Sequence, residues 1–253
     1  MNKFLTYNDK TIADFVEMPT EWWSRPYEYG FVAQYLNNKN QIIVDAGCGI
    51  EHPFKWYAAP KVKKVIAIDL DERILKLKND EPITQGDPLT LQMLARKKDA
   101  KNIEFIHGSF VTEDIKNVDK VFCISVFEHM TPADQEKAMI NFYDMLKPGG
   151  VLVMTLDYPM AKPEVIYNMA KNSGFDLEDP EYEADNELNI CTRQYGNIKV
   201  FTLVGTKPKK AIKLGPMVSH SGAISAIREN DEDEFEKRII EKEETEVKYC
   251  LNY

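Results

Sequence analysis

Two glycines and two aspartates carry the first chemical signal in this chain. Residues 44–51 read Val-Asp-Ala-Gly-Cys-Gly-Ile-Glu, so Gly47 and Gly49 follow directly on the apolar run of residues 41–45 (QIIVD). Glycine at both positions lets the chain turn tightly and lets a ligand approach backbone that a Cβ would shield. Twenty residues beyond Gly49, Asp69 closes a second apolar run, residues 65–69 (VIAID). If the two runs are neighbouring strands of a doubly wound sheet, the Asp69 carboxylate lies beside the glycine turn and can accept both hydroxyl hydrogens of a ribose. The combination points to an adenosine-type ligand. A dinucleotide is disfavoured, because the third glycine of G-x-G-x-x-G is missing and Glu51-His52-Pro53 would set a carboxylate against a pyrophosphate. No G-x-x-x-x-G-K-[ST] occurs either.

These residues meet only if the surrounding elements bring them to one edge. After residue 41, short β-branched runs alternate with helical patterns: residues 41–45, 65–69, 102–106, 121–126 and 151–155. Each run is too short for a helix and too apolar for a half-exposed strand, the signature of a parallel sheet covered on both faces. Between them, Thr131 can cap a helix with Pro132 at its first position and Asp134 in its first turn, stopped at Gly149-Gly150. Further helices are expected over residues 162–172, ending at Gly174, and over residues 89–98. Residues 188–193 and 199–204 flank Gln194-Tyr195-Gly196-Asn197 and read as a hairpin. The fold class is therefore α/β: a doubly wound, mostly parallel sheet, its last strand antiparallel, with helices on both faces.

Composition narrows the function classes. The chain has 253 residues, 43% hydrophobic, with 32 Lys plus Arg against 41 Asp plus Glu, a formal charge of −9. That suits one α/β domain with appendages and argues against global disorder. No apolar run approaches the ~20 residues of a spanning helix and no secretory signal opens the chain, so a cytoplasmic protein with no membrane partner is expected. The acidity is local, because residues 229–246 hold ten acids and three bases and so carry −7 of the −9. A polyanionic partner is thus not excluded. Cys48, Cys123, Cys191 and Cys250 form no CxxC, and His52, His107 and His220 are scattered, so neither a disulfide framework nor a metal site is expected.

Residues 1–40 are aromatic-rich, and Trp22-Trp23-Ser24-Arg25-Pro26-Tyr27 precedes the first strand. Such a segment can fold over a site as a lid, with Trp22 or Trp23 enclosing substrate, Tyr27 beside them and Arg25 pairing with a carboxylate or phosphate. The alternative is that these aromatics cover one edge of the core. Tyr27, Phe31 and Tyr35, spaced by four, suggest a short helix with one buried stripe.

In order and spacing, these motifs resemble the class I (seven-stranded, Rossmann-like) S-adenosylmethionine-dependent methyltransferases. The resemblance covers roughly residues 41–206 and rests on Asp45-Ala46-Gly47-Cys48-Gly49, Asp69-Leu70, Val126-Phe127-Glu128-His129-Met130 and Leu146-Lys147-Pro148-Gly149-Gly150. It implies seven strands and S-adenosylmethionine as cofactor, with S-adenosylhomocysteine as product. Asp45, Ala46, Gly47, Cys48 and Gly49 would line the methionine part of the cofactor, Asp69 would hold the ribose, and Leu70 would flank the adenine. Ser109, with Phe110 after it, stands where many relatives place an acid for the adenine amino group. Ser125 and Val126 would form the floor beneath the sulfonium. A further departure is Glu51, at the position of a frequent third glycine.

A sulfonium methyl is already activated, so transfer needs an in-line nucleophile and a way to remove its proton. His129, expected at the carboxyl edge of the sheet, is the candidate base, and Asp157 and Tyr158 can also reach substrate. The expected activity is methyl transfer to an O or N nucleophile of a small metabolite or glycan intermediate, since no Asn-Pro-Pro-Tyr follows the fourth strand. The alternatives are a non-catalytic cofactor-binding or interaction protein, and a nucleic-acid or protein methyltransferase that docks through Lys207, Lys209, Lys210 and Lys213. The expected organisation is a cap over residues 1–40, a catalytic domain over 41–206 and a charged extension over 207–253.

Overall fold

The computed structural model describes residues 2–12, 22–81, 83, 100–192, 196–209, 218–220 and 223–225. Five apolar runs become the parallel strands β1 (Ile42–Ala46), β2 (Lys64–Asp69), β3 (Ile103–His107), β4 (Val118–Ile124) and β5 (Leu146–Tyr158). A two-residue β6 (Asp176–Leu177) and the long β7 (Ile198–Thr206) complete the order β3-β2-β1-β4-β5-β7-β6. Only β7 opposes its neighbours, pairing antiparallel from Lys199↔Tyr158 to Thr206↔Val151. Cys191–Thr192 adds an eighth strand, antiparallel to the start of β7, so the sheet has one strand more than the seven expected. That extra pair is the hairpin expected around residues 194–197.

Alternate residues of each strand enter different cores, because side-chain direction reverses at every residue. Val44, Val121 and Cys123 face one hydrophobic cluster, whereas Ile43, Phe122 and Ile124 face the other. Both faces are covered, which is why the strands read as unbroken apolar runs. The first cluster lies under α4 (Pro132–Met145) and α5 (Pro163–Asn172); the second lies under α1 (Arg25–Ala33), α2 (Phe54–Ala58) and α3 (Ile74–Asn79). In α1 Phe31 is buried and Tyr27 partly buried; Tyr35 lies two residues past the helix and is also partly buried, so the expected aromatic stripe is fully buried only at Phe31.

Local rules set the boundaries. The Thr131 hydroxyl accepts from the Asp134 N–H at 3.2 Å and caps α4. The helix stops at Met145, earlier than the two glycines predict, because Lys147 precedes Pro148 and is driven into extended backbone. The register of β4 against β5 then jumps from Val118↔Leu146 to Lys120↔Val151, and Gly149 turns there at φ +82°. Residues 89–98, expected as a helix, and most of the charged extension lie outside the described residues. The chain divides into two units, Met1–Lys209 and Lys210–Tyr253, the second holding the antiparallel pair Val218–His220 and Ala223–Ser225. In the first unit, Leu5 N–H donates to the Val200 carbonyl at 2.8 Å, so the N-terminal segment is bonded to β7.

Candidate active site

The carboxyl ends of β1 and β2 hold the glycine turn. Gly47 and Gly49 both lie in left-handed backbone, at φ +69° and +56°. A Cβ on Gly47 would meet Val126 Cγ1 at 2.7 Å, so the turn can pack this closely on the segment after β4 only with glycine there. The N–H groups of Gly47 and Cys48 both donate to the Ile68 carbonyl, at 2.9 and 3.1 Å. Gly49 N–H donates to Asp69 Oδ2 at 2.7 Å, and Asp71 N–H donates to Asp69 Oδ1 at 2.9 Å. The carboxylate of Asp69 is thereby fixed beside the turn. Cys48 and Ala46 are buried, and burial raises the Cys48 thiol well above its ordinary value.

Beneath the turn lies a fully buried lysine. Lys55 Nζ donates to the carbonyls of Cys48, Gly49 and His52 at 2.5 to 3.0 Å and also sits 4.1 Å from the centre of the Trp56 ring. Burial lowers the Lys55 ammonium from its usual value. Asp45, at the end of β1, is buried with no hydrogen-bond partner for Oδ2, and burial pushes it up to about 7, with Lys55 opposing that rise.

On the β2–β3 side, Leu70 is 69% exposed immediately past Asp69. The Ser109 hydroxyl accepts from Val111 N–H at 3.2 Å within its own turn. Phe110 is buried and stacks on Phe142 at 5.3 Å, which places its ring in the first core. Glu51 is directed to Arg73, 3.9 Å away.

The β4–β5 side is built differently. Ser125, at φ +46°, donates through Oγ to Glu28 Oε2 at 2.6 Å, and the Thr155 hydroxyl donates to the same oxygen. Arg25 Nη1 holds the other oxygen of Glu28 at 2.6 Å. Burial alone would raise the Glu28 carboxyl, but Arg25 and these hydroxyls keep it below its ordinary value. Helix α1 is thus pinned to the ends of β4 and β5 by a wholly buried acid. Glu128 accepts from Asp157 N–H at 2.9 Å through Oε1, while Glu128 Oε2 and Asp157 Oδ1 are buried without partners. Burial and then Asp157 push Glu128 to about 8, and burial and then Glu28 push Asp157 to about 6.

The aromatic segment divides its roles. Trp22 stacks on the His52 ring at 4.6 Å, and Tyr29 Oη lies 2.8 Å from His52 Nδ1. Burial, with Arg25 and Lys55 nearby, lowers His52 to about 3, so this ring is neutral. Trp23 packs on the second core, Tyr27 meets Tyr7 edge-on at 6.1 Å, and Tyr158 meets Phe4 edge-on at 5.6 Å. His129 is exposed on the turn Phe127–His129.

Residues 44–154 match the methyltransferase-domain family. The match lies within residues 41–206, where the motifs resemble those of the class I S-adenosylmethionine-dependent methyltransferases. A small RNA 2′-O-methyltransferase of Drosophila melanogaster is 24% identical over 191 residues, 71% of this chain and 48% of that protein, so the chain spans about half the length of this curated relative. Two solved structures show the same fold. The 1,6-didemethyltoxoflavin-N1-methyltransferase of Burkholderia thailandensis, with bound 1,6-didemethyltoxoflavin and S-adenosylhomocysteine, has a TM-score of 0.54 at 14% identity, covering 74% of this chain and 79% of that one. The N-methyltransferase NodS of Bradyrhizobium japonicum, with S-adenosylhomocysteine, has a TM-score of 0.52 at 14% identity, covering 80% and 94%.

The residues at this edge fit S-adenosylmethionine. Gly47 and Gly49 let the turn pack against Val126 and His52 where a Cβ would clash, Asp69 sets a carboxylate beside that turn as a ribose diol would require, and Asp45 keeps a buried oxygen without a partner at the end of β1. Five residues of the site were not found as site residues from sequence: Glu28, Thr155, Lys55, His52 and Glu128, the last seen only as part of the segment after β4. Glu28 lies one helical turn after Arg25, and that i,i+3 spacing was the single available signal. Among the described residues no helix is long and apolar enough to cross a membrane.

Proposed function

We propose that this chain transfers a methyl group from S-adenosylmethionine to an O or N nucleophile of a small metabolite or glycan intermediate. The observation that carries this reading is the Asp69 carboxylate held on Gly49 N–H at 2.7 Å, beside a turn that requires glycine at both positions. When bound, the cofactor supplies an activated methyl, so the chain's own task is to hold, orient and exclude water. Asp45, Ala46, Gly47, Cys48 and Gly49 hold the methionine end, Asp69 the ribose and exposed Leu70 the adenine. Ser109 stays at the end of β3 with its hydroxyl engaged in its turn, and Phe110 supports that end from the core. Ser125 and Val126 form the floor, and His129, at the exposed rim, is the proposed base.

Small acceptors are favoured because the acceptor side is roofed. Helix α1 is anchored by Glu28 between Ser125 and Thr155, and Trp22, Trp23, Arg25 and Tyr27 belong to that cover. Asp157 and Tyr158 leave β5 beside it. The local charge of Glu28, Glu128 and Asp157 against Arg25 also repels a polyanion. An RNA acceptor is the second reading, which the Drosophila relative's name supports. Against it, Lys207 is committed to the carbonyls of Tyr143 and Leu146 at 2.8 Å each, which takes it out of a basic docking surface.

Titration of S-adenosylmethionine into the wild type and Asp69→Ala tests the cofactor site. Micromolar binding and a loss of about a hundredfold in the variant are expected, as two charge-assisted hydrogen bonds to the ribose disappear. Equal binding by the two proteins would refute the assignment.

A further inference from the structure

Among the described residues, the carboxyl edge of the sheet keeps three buried carboxylate oxygens without partners: Asp45 Oδ2, Glu128 Oε2 and Asp157 Oδ1. Asp45 belongs to the glycine turn. The other two lie one strand away, where Glu128 follows β4, Asp157 closes β5, and the Asp157 N–H joins the two residues at 2.9 Å. Glu128 is only 7% exposed. Among the described residues the cation beside them is Arg25, held by Glu28 at 2.6 Å, which leaves three acids against one base there.

Buried carboxylate oxygens left unpaired are costly, so a site that retains two of them side by side is completed by donors from outside. A neutral hydroxyl brings one donor and no charge. An ammonium brings three donors and the positive charge that two adjacent carboxylates lack. Val126, two residues before Glu128, is the residue that a Cβ on Gly47 would strike, so the segment that carries Glu128 packs on the glycine turn.

We infer that the methyl acceptor is an amine, held as its ammonium by Glu128 and Asp157, an inference that rests on the methyl-transfer reading above. The ammonium first gives one proton to the carboxylate pair and not directly to His129, which then serves only the proton's exit to solvent; this frees the nitrogen lone pair. That pair forms the N–C bond as the C–S bond breaks toward sulfur. The products are the methylated ammonium and S-adenosylhomocysteine, and the proton held by the carboxylates returns to solvent past His129. Burial suits the pair to receive it, since both carboxyls are raised toward neutral pH.

Sinefungin provides a probe that needs no knowledge of the acceptor. In this analogue an amine-bearing carbon replaces the methylated sulfur, so its ammonium lies where the methyl is delivered. At pH 8 the wild type is expected to bind sinefungin about tenfold more tightly than S-adenosylhomocysteine, a charge-assisted preference. Glu128→Gln and Asp157→Asn should each cut the preference to about threefold or less, with S-adenosylhomocysteine affinity kept within about twofold. Thermal melts identify a variant that fails to fold, and either substitution alone suffices for the test. Equal affinity for the two ligands in the wild type would overturn the amine assignment and leave the cofactor site standing. A preference that survives both substitutions would overturn the role of the pair. If neither ligand binds, the methyl-transfer reading itself fails.

Discussion

The two halves of the site are built on opposite principles. On the β1–β2 side the main polar groups meet partners within the protein: Asp69 takes two N–H groups, and Lys55 satisfies three carbonyls. On the β4–β5 side Glu28 is fully engaged, but Glu128 and Asp157 each keep a buried oxygen with no partner. Asp45 stands at the boundary with one such oxygen. The first half is finished before any ligand arrives, whereas the second is complete only with one. A preorganised half can hold a constant cofactor, and an unfinished half can select an acceptor by what it lacks.

The comparison breaks most sharply at Lys55. Lys55→Met keeps the packing volume but leaves three carbonyls without their donor, and an orphaned buried acceptor costs more than the lost desolvation penalty returns. We expect a loss of about 3 kcal/mol, seen as a fall of roughly 6–12 °C in Tm. A fall below about 2 °C would show that the lysine does not hold the turn. Next in size is Gly47→Ala, which adds a Cβ 2.7 Å from Val126 Cγ1 and places an L-residue at φ +69°. The left-handed backbone alone costs about 1–2 kcal/mol. Adding Val126→Ala should recover the steric part and leave the backbone part, and full additivity of the two substitutions in chemical denaturation would contradict the contact.

Legibility follows the same division. The glycine turn, Asp69 and the buried strands are readable because their signals are local: a turn at fixed spacing, an acid at a strand end, unbroken apolar runs. Glu28 could not be read, because its partners Ser125 and Thr155 lie 97 and 127 residues away and nothing in the chain between marks the meeting. Lys55 defeats sequence reasoning for another reason. On a short helix a lysine ordinarily reads as a solvated charge, and only the folded turn shows three carbonyls converging on it. The extra strand at Cys191–Thr192 and the early end of α4 are boundary effects of tertiary pairing and of Pro148.

The titration of the unfinished half is a smaller effect. Burial raises Asp45 to about 7, Glu128 to about 8 and Asp157 to about 6; Lys55 opposes the first and Arg25 the third. The folded protein therefore binds more protons than the unfolded chain between pH ~4 and ~8, so these three groups make stability fall as pH rises through that window. A cationic ligand favours their ionised forms. Calorimetric titration with sinefungin near pH 7, in two buffers of different ionisation enthalpy, should show net proton release. Zero exchange would mean that the carboxylates do not face the ligand.

The smallest structural effect is expected at His129, which is exposed on the turn after β4. His129→Ala should change stability by less than about 0.5 kcal/mol, because an exposed side chain away from caps and cores carries little of it. Its effect belongs to turnover alone. With the carboxylate pair taking the first proton, loss of the rim histidine should slow turnover by about tenfold, below the full range of a sole general base. The deficit should shrink in concentrated imidazole buffer, which can carry the proton instead. An unchanged rate would remove His129 from the proton's path and leave Glu128 and Asp157 to exchange with water directly, whereas a loss of a thousandfold would make His129 the base and confine the carboxylates to binding.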